Sequence, residues 1–221
     1  INSIGALTAM TELVSITMSN NAIVSLTPLS ASTKLRSLRA YNNALTSITG
    51  VESAEDLDFI QISQNAITSL SPLTLLDRLE YVLAHNNQIT SVSGLEGLVD
   101  LREINLNDNL VSSLSGLQNL TELEYLYVDR NRVTSLDGLE SLDDLERLSL
   151  HQNDFGSESD LSKLSALTGL VYLGLNDADI ESLVGLEALT SLEHLDASGA
   201  SLRGSGALEP LRNMNRLRVL N

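Results

Sequence analysis

The 221-residue chain has no cysteine and no tryptophan. Without cysteine there are no disulfides and no thiolate metal sites, and the redox compartment stays undecided. Lysine occurs only as Lys34 and Lys163, and the 13 basic residues face 29 acidic ones, a formal net charge of −16. Phosphate recognition needs clustered Lys and Arg, so nucleic acid is excluded as a partner and anionic membranes are disfavoured. No apolar stretch reaches the roughly 18 residues that a membrane span requires, so no membrane insertion is expected. The chain starts inside a repeating pattern without a signal peptide, so the expectation is a segment of a longer protein from which such a peptide has been removed. Aromatics make up 3% of the residues while apolar residues make up 43%. An aliphatic interior of that kind suits many similar thin layers better than one irregular core.

The layers are visible in the stretch Leu123-Glu124-Tyr125-Leu126-Tyr127-Val128-Asp129-Arg130-Asn131-Arg132-Val133, which reads LxxLxLxxNxL. Leu126 and Val128 alternate with Tyr125, Tyr127 and Asp129, the period of a half-buried strand. One face fills a core, and the other is expected to present its side chains to solvent. The same pattern begins at Leu13, Leu35, Leu57, Leu79, Leu101, Leu123, Leu145, Leu170, Leu192 and Leu217. The step is 22 residues six times, then 25, 22 and 25. Residues 1–221 therefore read as one domain of nine full repeats, with partial repeats at 1–12 and 217–221. The additional residues of the two longer repeats fall within Gly156–Asp160 and Arg203–Ala207.

The second half of a repeat runs like Ile89-Thr90-Ser91-Val92-Ser93-Gly94-Leu95-Glu96-Gly97-Leu98, with apolar residues at steps of three. That spacing fits a short 3₁₀ or helical return. One position alternates between glycine (Gly50, Gly94, Gly116, Gly138, Gly185) and proline (Pro28, Pro72, Pro210), both of which punctuate a turn. An asparagine column runs through Asn21, Asn43, Asn65, Asn87, Asn109, Asn131 and Asn153. A polar side chain recurring inside an apolar pattern must have its hydrogen bonds met, and an amide can serve both donors and acceptors of the bend. The column lapses at Ala178 and Ala200, where a different bend or a bound water is expected. Asn107, two residues before a column member, is expected to be exposed and dispensable.

On these motifs the chain resembles the leucine-rich repeat proteins, specifically the 22-residue SDS22-like class that includes bacterial internalins and phosphatase-regulating proteins. The resemblance spans essentially the whole chain. It implies an α/β fold, a curved right-handed horseshoe with one parallel concave β-sheet and short 3₁₀ or helical convex segments. It further implies that the concave sheet binds another protein. The Thr-Ser pairs at Thr46-Ser47, Thr68-Ser69, Thr90-Ser91 and Thr134-Ser135 lean toward the bacterial surface members.

All five tyrosines, all three histidines and Phe59 fall at outward positions around the strands. Strand propensity explains part of this bias, but not Tyr41, His85 and His151, which lie past the strand. Tyrosine and arginine are enriched where proteins bind one another. The expected partner-binding residues are Tyr41, Phe59, Tyr81, His85, Tyr125, Tyr127, Asp129, Arg130, Arg147, His151, Tyr172 and His194, with Arg39 on the same surface. Phe59, Tyr81, Tyr125, Tyr127 and Tyr172 should form an aromatic stripe interrupted by Glu103, with Arg130 and Arg147 free to meet a partner's carboxylates.

Three other groupings carry less weight. His194, Asp196 and Ser198 share an outward face, yet an open sheet has no oxyanion hole or dry pocket. Asn105, Asn107, Asp108 and Asp129 could supply oxygens to Ca²⁺, although a solvated acidic patch is the preferred reading. The Thr-Ser ladder could order water, although hydroxyls simply suit such turns. Neither a catalytic residue, a metal nor a cofactor is expected. The reading is a non-enzymatic, monomeric module of an extracellular or cell-surface bacterial protein that binds an unidentified protein ligand. The alternatives are a cytoplasmic SDS22-like scaffold that regulates a phosphatase or another enzyme, and an ice- or glycan-binding adhesin surface.

Overall fold

The computed structural model describes residues 1–156 and 160–221. Ten short strands form one parallel sheet in strict chain order. They are β1 (Ser15–Thr17), β2 (Ser37–Arg39), β3 (Phe59–Gln61), β4 (Tyr81–Leu83), β5 (Glu103–Asn105), β6 (Tyr125–Tyr127), β7 (Arg147–Ser149), β8 (Tyr172–Gly174), β9 (His194–Asp196) and β10 (Val219–Leu220). Each strand therefore belongs to one turn of a solenoid, at the place the alternation predicts. The central residue of each interior strand points into the core: Leu38, Ile60, Val82, Ile104, Leu126, Leu148, Leu173 and Leu195 have no exposed surface. A single apolar column runs the length of the molecule, and each layer is covered by the next.

The returns are more economical than helices. Among the described residues five are 3₁₀ segments of three or four residues: Gly5–Leu7, Thr27–Leu29, Ser71–Leu73, Leu161–Leu164 and Glu209–Leu211. The other returns are turns, and no α-helix occurs among the described residues. Proline and glycine at the shared position give the two solutions. Where it is proline, fixed φ starts a 3₁₀ turn. At Gly50, Gly94 and Gly138 φ is between +101° and +115°, and a Cβ would overlap the carbonyl of Leu26, Leu70 or Leu114 in the preceding turn. The glycine N–H is then capped by the carboxylate two residues on, as from Gly94 to Glu96 Oε2 at 2.7 Å. The same bond recurs from Gly50 to Glu52, Gly138 to Glu140 and Gly185 to Glu187. In the Thr-Ser pairs, the serine hydroxyl accepts a backbone N–H two residues on, as at Ser47 and Ser69. Those hydroxyls serve the turn, as the preferred reading has it.

The bend after each strand is built by two adjacent positions. The first adopts left-handed backbone, at Asn20, Asn42, Gln64, Asn86, Asp108, Arg130, Gln152 and Asp177. The second is the asparagine column. Asn87 Nδ2 donates to the carbonyls of Ala84 (3.0 Å) and His85 (3.4 Å) in its own turn and of Ile62 (3.1 Å) in the preceding one. Its Oδ1 accepts the Ile67 N–H at 3.0 Å. The amide thus stitches two turns together, and the pattern repeats through Asn153. At Ala178 the side chain is fully buried and makes no such bonds; a second left-handed residue, Asp179, reshapes the bend. Of the two longer connections, residues 157–159 lie outside the described residues. In the other, Gly204 has φ +90° and Arg203 pairs with Glu181 at 3.0 Å.

Candidate binding surface

The sheet register converts sequence spacing into columns. Third positions pair in the order Ser37, Phe59, Tyr81, Glu103, Tyr125, Arg147, Tyr172, His194. Fifth positions pair in the order Arg39, Gln61, Leu83, Asn105, Tyr127, Ser149, Gly174, Asp196. Phe59, Tyr81, Tyr125, Tyr127, Arg147, Tyr172 and His194 are each half-buried, with one side open. The interrupted aromatic stripe is therefore present on one face, with Glu103 at its gap.

The stripe has two clusters. At one end the Phe59 and Tyr81 rings lie 6.0 Å apart, and the Arg39 guanidinium sits 4.2 Å from the Phe59 centroid. Arg39 is steadied by donating to Ser37 Oγ at 2.8 Å. At the other end Arg147 sits 4.4 Å from the Tyr172 centroid, and the His194 ring lies tilted against the same ring at 4.9 Å. His151 approaches Tyr172 edge-on, and its Nε2 lies 2.9 Å from the phenol oxygen. His151 Nδ1 accepts the Asn176 N–H at 3.0 Å, so in the neutral ring the proton sits on Nε2 and points at Tyr172. The imidazole lies over Gly174, where any Cβ would overlap it. Burial, reinforced by Asp129 and Asp196, raises the Tyr172 phenol above its ordinary pKa. Each cation–ring contact at such exposure contributes about 0.5–1 kcal/mol.

Other residues expected on this face are placed differently. Asp129 is not solvent-facing: it is 8% exposed and accepts from Ser149 Oγ at 2.6 Å and the His151 N–H at 3.0 Å. Its position lies beyond the strand, where strict alternation has ended. A short side chain there folds under the bend, as Ser63 also does at 1% exposure, whereas Tyr41, His85 and His151 are long enough to reach out. Arg130 is exposed, and its guanidinium pairs with Asp108 through two bonds, of 2.5 and 2.6 Å, with which a partner's carboxylate would compete. That pairing holds the Asp108 carboxyl below its ordinary value. Tyr41 accepts from Asn20 Nδ2 at 3.1 Å, and His85 Nδ1 meets Asn86 Nδ2 at 2.9 Å; both lie on the rim of the bends. Burial lowers the His85 pKa, opposed by Asp108. Tyr125 donates to Glu146 Oε2 at 3.2 Å, which keeps its phenol protonated to higher pH. Asn107 is half-buried rather than exposed, and its Oδ1 accepts the Asp129 N–H at 2.6 Å.

Leu83 joins this face, although it is not among the aromatic, histidine and charged residues expected there. Counting parity from Leu79 puts it outward, and it is partly exposed between Gln61 and Asn105. The triad-like grouping does not assemble: Asp196 accepts from Ser198 Oγ at 2.7 Å, while His194 lies tilted against Tyr172. The oxygens considered for Ca²⁺ are engaged separately, Asp108 by Arg130 and Asp129 by Ser149 and His151.

Solvent-facing columns on a parallel solenoid, with LxxLxLxxN recurring along its turns, define the class: the chain is a leucine-rich repeat protein. The family described as Leucine Rich repeats (2 copies) matches residues 77–119. An internalin of Listeria monocytogenes, InlF, is similar over the whole chain at 26% identity with a TM-score of 0.91; this chain spans 64% of that one. The functional domain of InlJ from the same organism is 21% identical with a TM-score of 0.84, and this chain covers 51% of it. A plant peptide hormone receptor, RGFR1, solved in complex with RGF2, is 22% identical with a TM-score of 0.85, and 37% of it is covered. A comparison with the curated proteins finds no match. No helix among the described residues is long and apolar enough to cross a membrane.

Proposed function

We propose that the chain is a non-enzymatic protein-binding module of a secreted or surface bacterial protein, that it acts as a monomer, and that the face of β3–β9 contacts the partner. The observation that carries this reading is the half-exposed column of rings and guanidinium groups held in register across those strands. Rigid amphipathic rings lose little side-chain entropy per area buried, which makes them good contact residues. The likeness to the internalin InlF and to a receptor solved with its peptide hormone supports the same reading. Tyr125 and Tyr127 flank core residue Leu126 on one strand, and both rings stand on the open side. Tyr125→Ala with Tyr127→Ala should leave the circular dichroism spectrum unchanged and weaken binding of a captured partner by about 2 kcal/mol or more. If that double variant binds normally while changes to the Thr-Ser turns abolish binding, the opposite flank is the working surface.

A further inference from the structure

Two ring faces in the third column are covered by the chain's own guanidinium groups, Arg39 over Phe59 and Arg147 over Tyr172. Between these clusters Tyr81, Glu103 and Tyr125 are consecutive register partners on β4, β5 and β6. Among the described residues no cation pairs with Glu103 or lies over the Tyr81 or Tyr125 ring. The nearby arginines are committed elsewhere, Arg102 to Glu124 at 2.7 Å and Arg130 to Asp108. Glu103 has no ion pair among the described residues, and its carboxyl is raised above the ordinary value by burial alone. An ionised carboxylate left half-buried without a partner is unfavourable, and a matched cation relieves it.

The dimensions suit a cation. Strands pair about 4.8 Å apart, so the two tyrosines stand roughly 10 Å apart with Glu103 midway. A cation centred above Glu103 would lie about 5 Å from each ring, inside the roughly 6 Å reach of a cation–ring contact. Both rings are steadied, Tyr81 against Phe59 at 6.0 Å and Tyr125 by its bond to Glu146. Leu83 beside Tyr81 offers an apolar surface for an aliphatic stem.

We propose that Tyr81, Glu103 and Tyr125 form a binding site for an arginine side chain of the protein partner, the guanidinium lying between the rings and paired with the Glu103 carboxylate. This rests on the reading that the sheet face binds protein, and adds the chemistry of what it binds. Arginine is favoured over lysine because its planar group stacks on rings and pairs a carboxylate through two bonds. The net charge of −16 steers a basic segment toward the molecule.

The test uses the 221-residue chain labelled with ¹³C at the tyrosine ring carbons, whose five tyrosines are assigned by single Tyr→Phe changes. Acetyl-Gly-Arg-Gly-amide is titrated, with the citrulline tripeptide as an uncharged isostere. The expected result is that the arginine peptide moves the Tyr81 and Tyr125 signals most, that citrulline moves neither, and that Glu103→Gln weakens binding about tenfold by removing one charge-assisted pair. The Tyr172 signals, unchanged in Glu103→Gln, report that the variant is folded. Equal response to citrulline, equal affinity in Glu103→Gln, or shifts centred on Tyr172 each overturn the proposal. If any of these occurs while Tyr125→Ala with Tyr127→Ala still weakens partner binding, only the arginine site fails and the binding face stands.

Discussion

The turns from Leu13 to Asn153 and the turns from Leu170 onward use the same leucine lattice but different bends. In the first region each asparagine amide from Asn43 to Asn153 joins its own turn to the preceding one through side-chain bonds to backbone carbonyls. In the second, Ala178 is fully buried without those bonds, and a local contact, Ala200 N–H to Ala197 O at 3.0 Å, closes the next bend. Apolar stacking and the backbone bonds between strands therefore maintain the register without the asparagine side chain, since β8 and β9 pair as regularly as the others. What the asparagines add is coupling between neighbouring layers, and the two regions should differ in how far they open independently.

The largest test of that distinction is core truncation. Leu106 is completely buried within the laddered region, and Leu106→Ala should cost about 2–5 kcal/mol by opening a cavity. Urea denaturation would show it as a drop in midpoint; a loss below this range would mean that the laddered layers collapse as freely as the others. Next is Asn87→Ala, which strands backbone groups in two turns and should cost about 1–3 kcal/mol. Hydrogen exchange should then rise around β3 and β4 to the level of β8 and β9; if it stays unchanged, the amide does not couple the layers. Asn107→Ala removes one acceptor from the Asp129 N–H and should cost less, about 0.5–1.5 kcal/mol. Equal damage from both asparagine changes would erase the distinction between a stitch and a local bond.

The smallest effect is electrostatic. Asp108 has a depressed folded pKa because Arg130 pairs with it, so its contribution is present above the unfolded carboxylate value and is lost as pH falls through the folded one. Arg130→Ala should lower the melting temperature at neutral pH by the equivalent of no more than about 1 kcal/mol, and the deficit should shrink in acid. Glu103 has the opposite sign: its folded pKa is raised, so its contribution is lost as pH rises through that value. A deficit for Arg130→Ala that persists in acid would point to lost packing instead of lost charge.

The repeat and its core were legible because a period of two inside a period of 22 leaves little choice of which leucine faces inward. The asparagine column was legible for the same reason, since an amide recurring among apolar residues needs partners. The rings on β3–β9 followed from strand parity. Parity stops where the strand stops, which is why Asp129 was placed outside and is found inside. The left-handed position was only partly legible: Asn and Asp suit that backbone, but Gln64, Gln152 and Arg130 adopt it too. Nor were the pairings of Arg130 with Asp108 or of Arg147 with Tyr172, which depend on rotamers reaching across turns.

Register between successive strands has an evolutionary consequence. The strand of a middle turn pairs with the turn before and the turn after, at equivalent positions. A deletion of residues 101–122 would join Asp100 to Leu123 and leave the lattice with the same junction it has everywhere else. The outer surface would not be conserved in that exchange: Tyr81 would become the register partner of Tyr125, and Glu103 would be gone. Recombination by whole turns is thus nearly silent for folding and loud for recognition, so a lineage of such proteins can rewrite what it binds by unequal crossover, without first acquiring any point substitution.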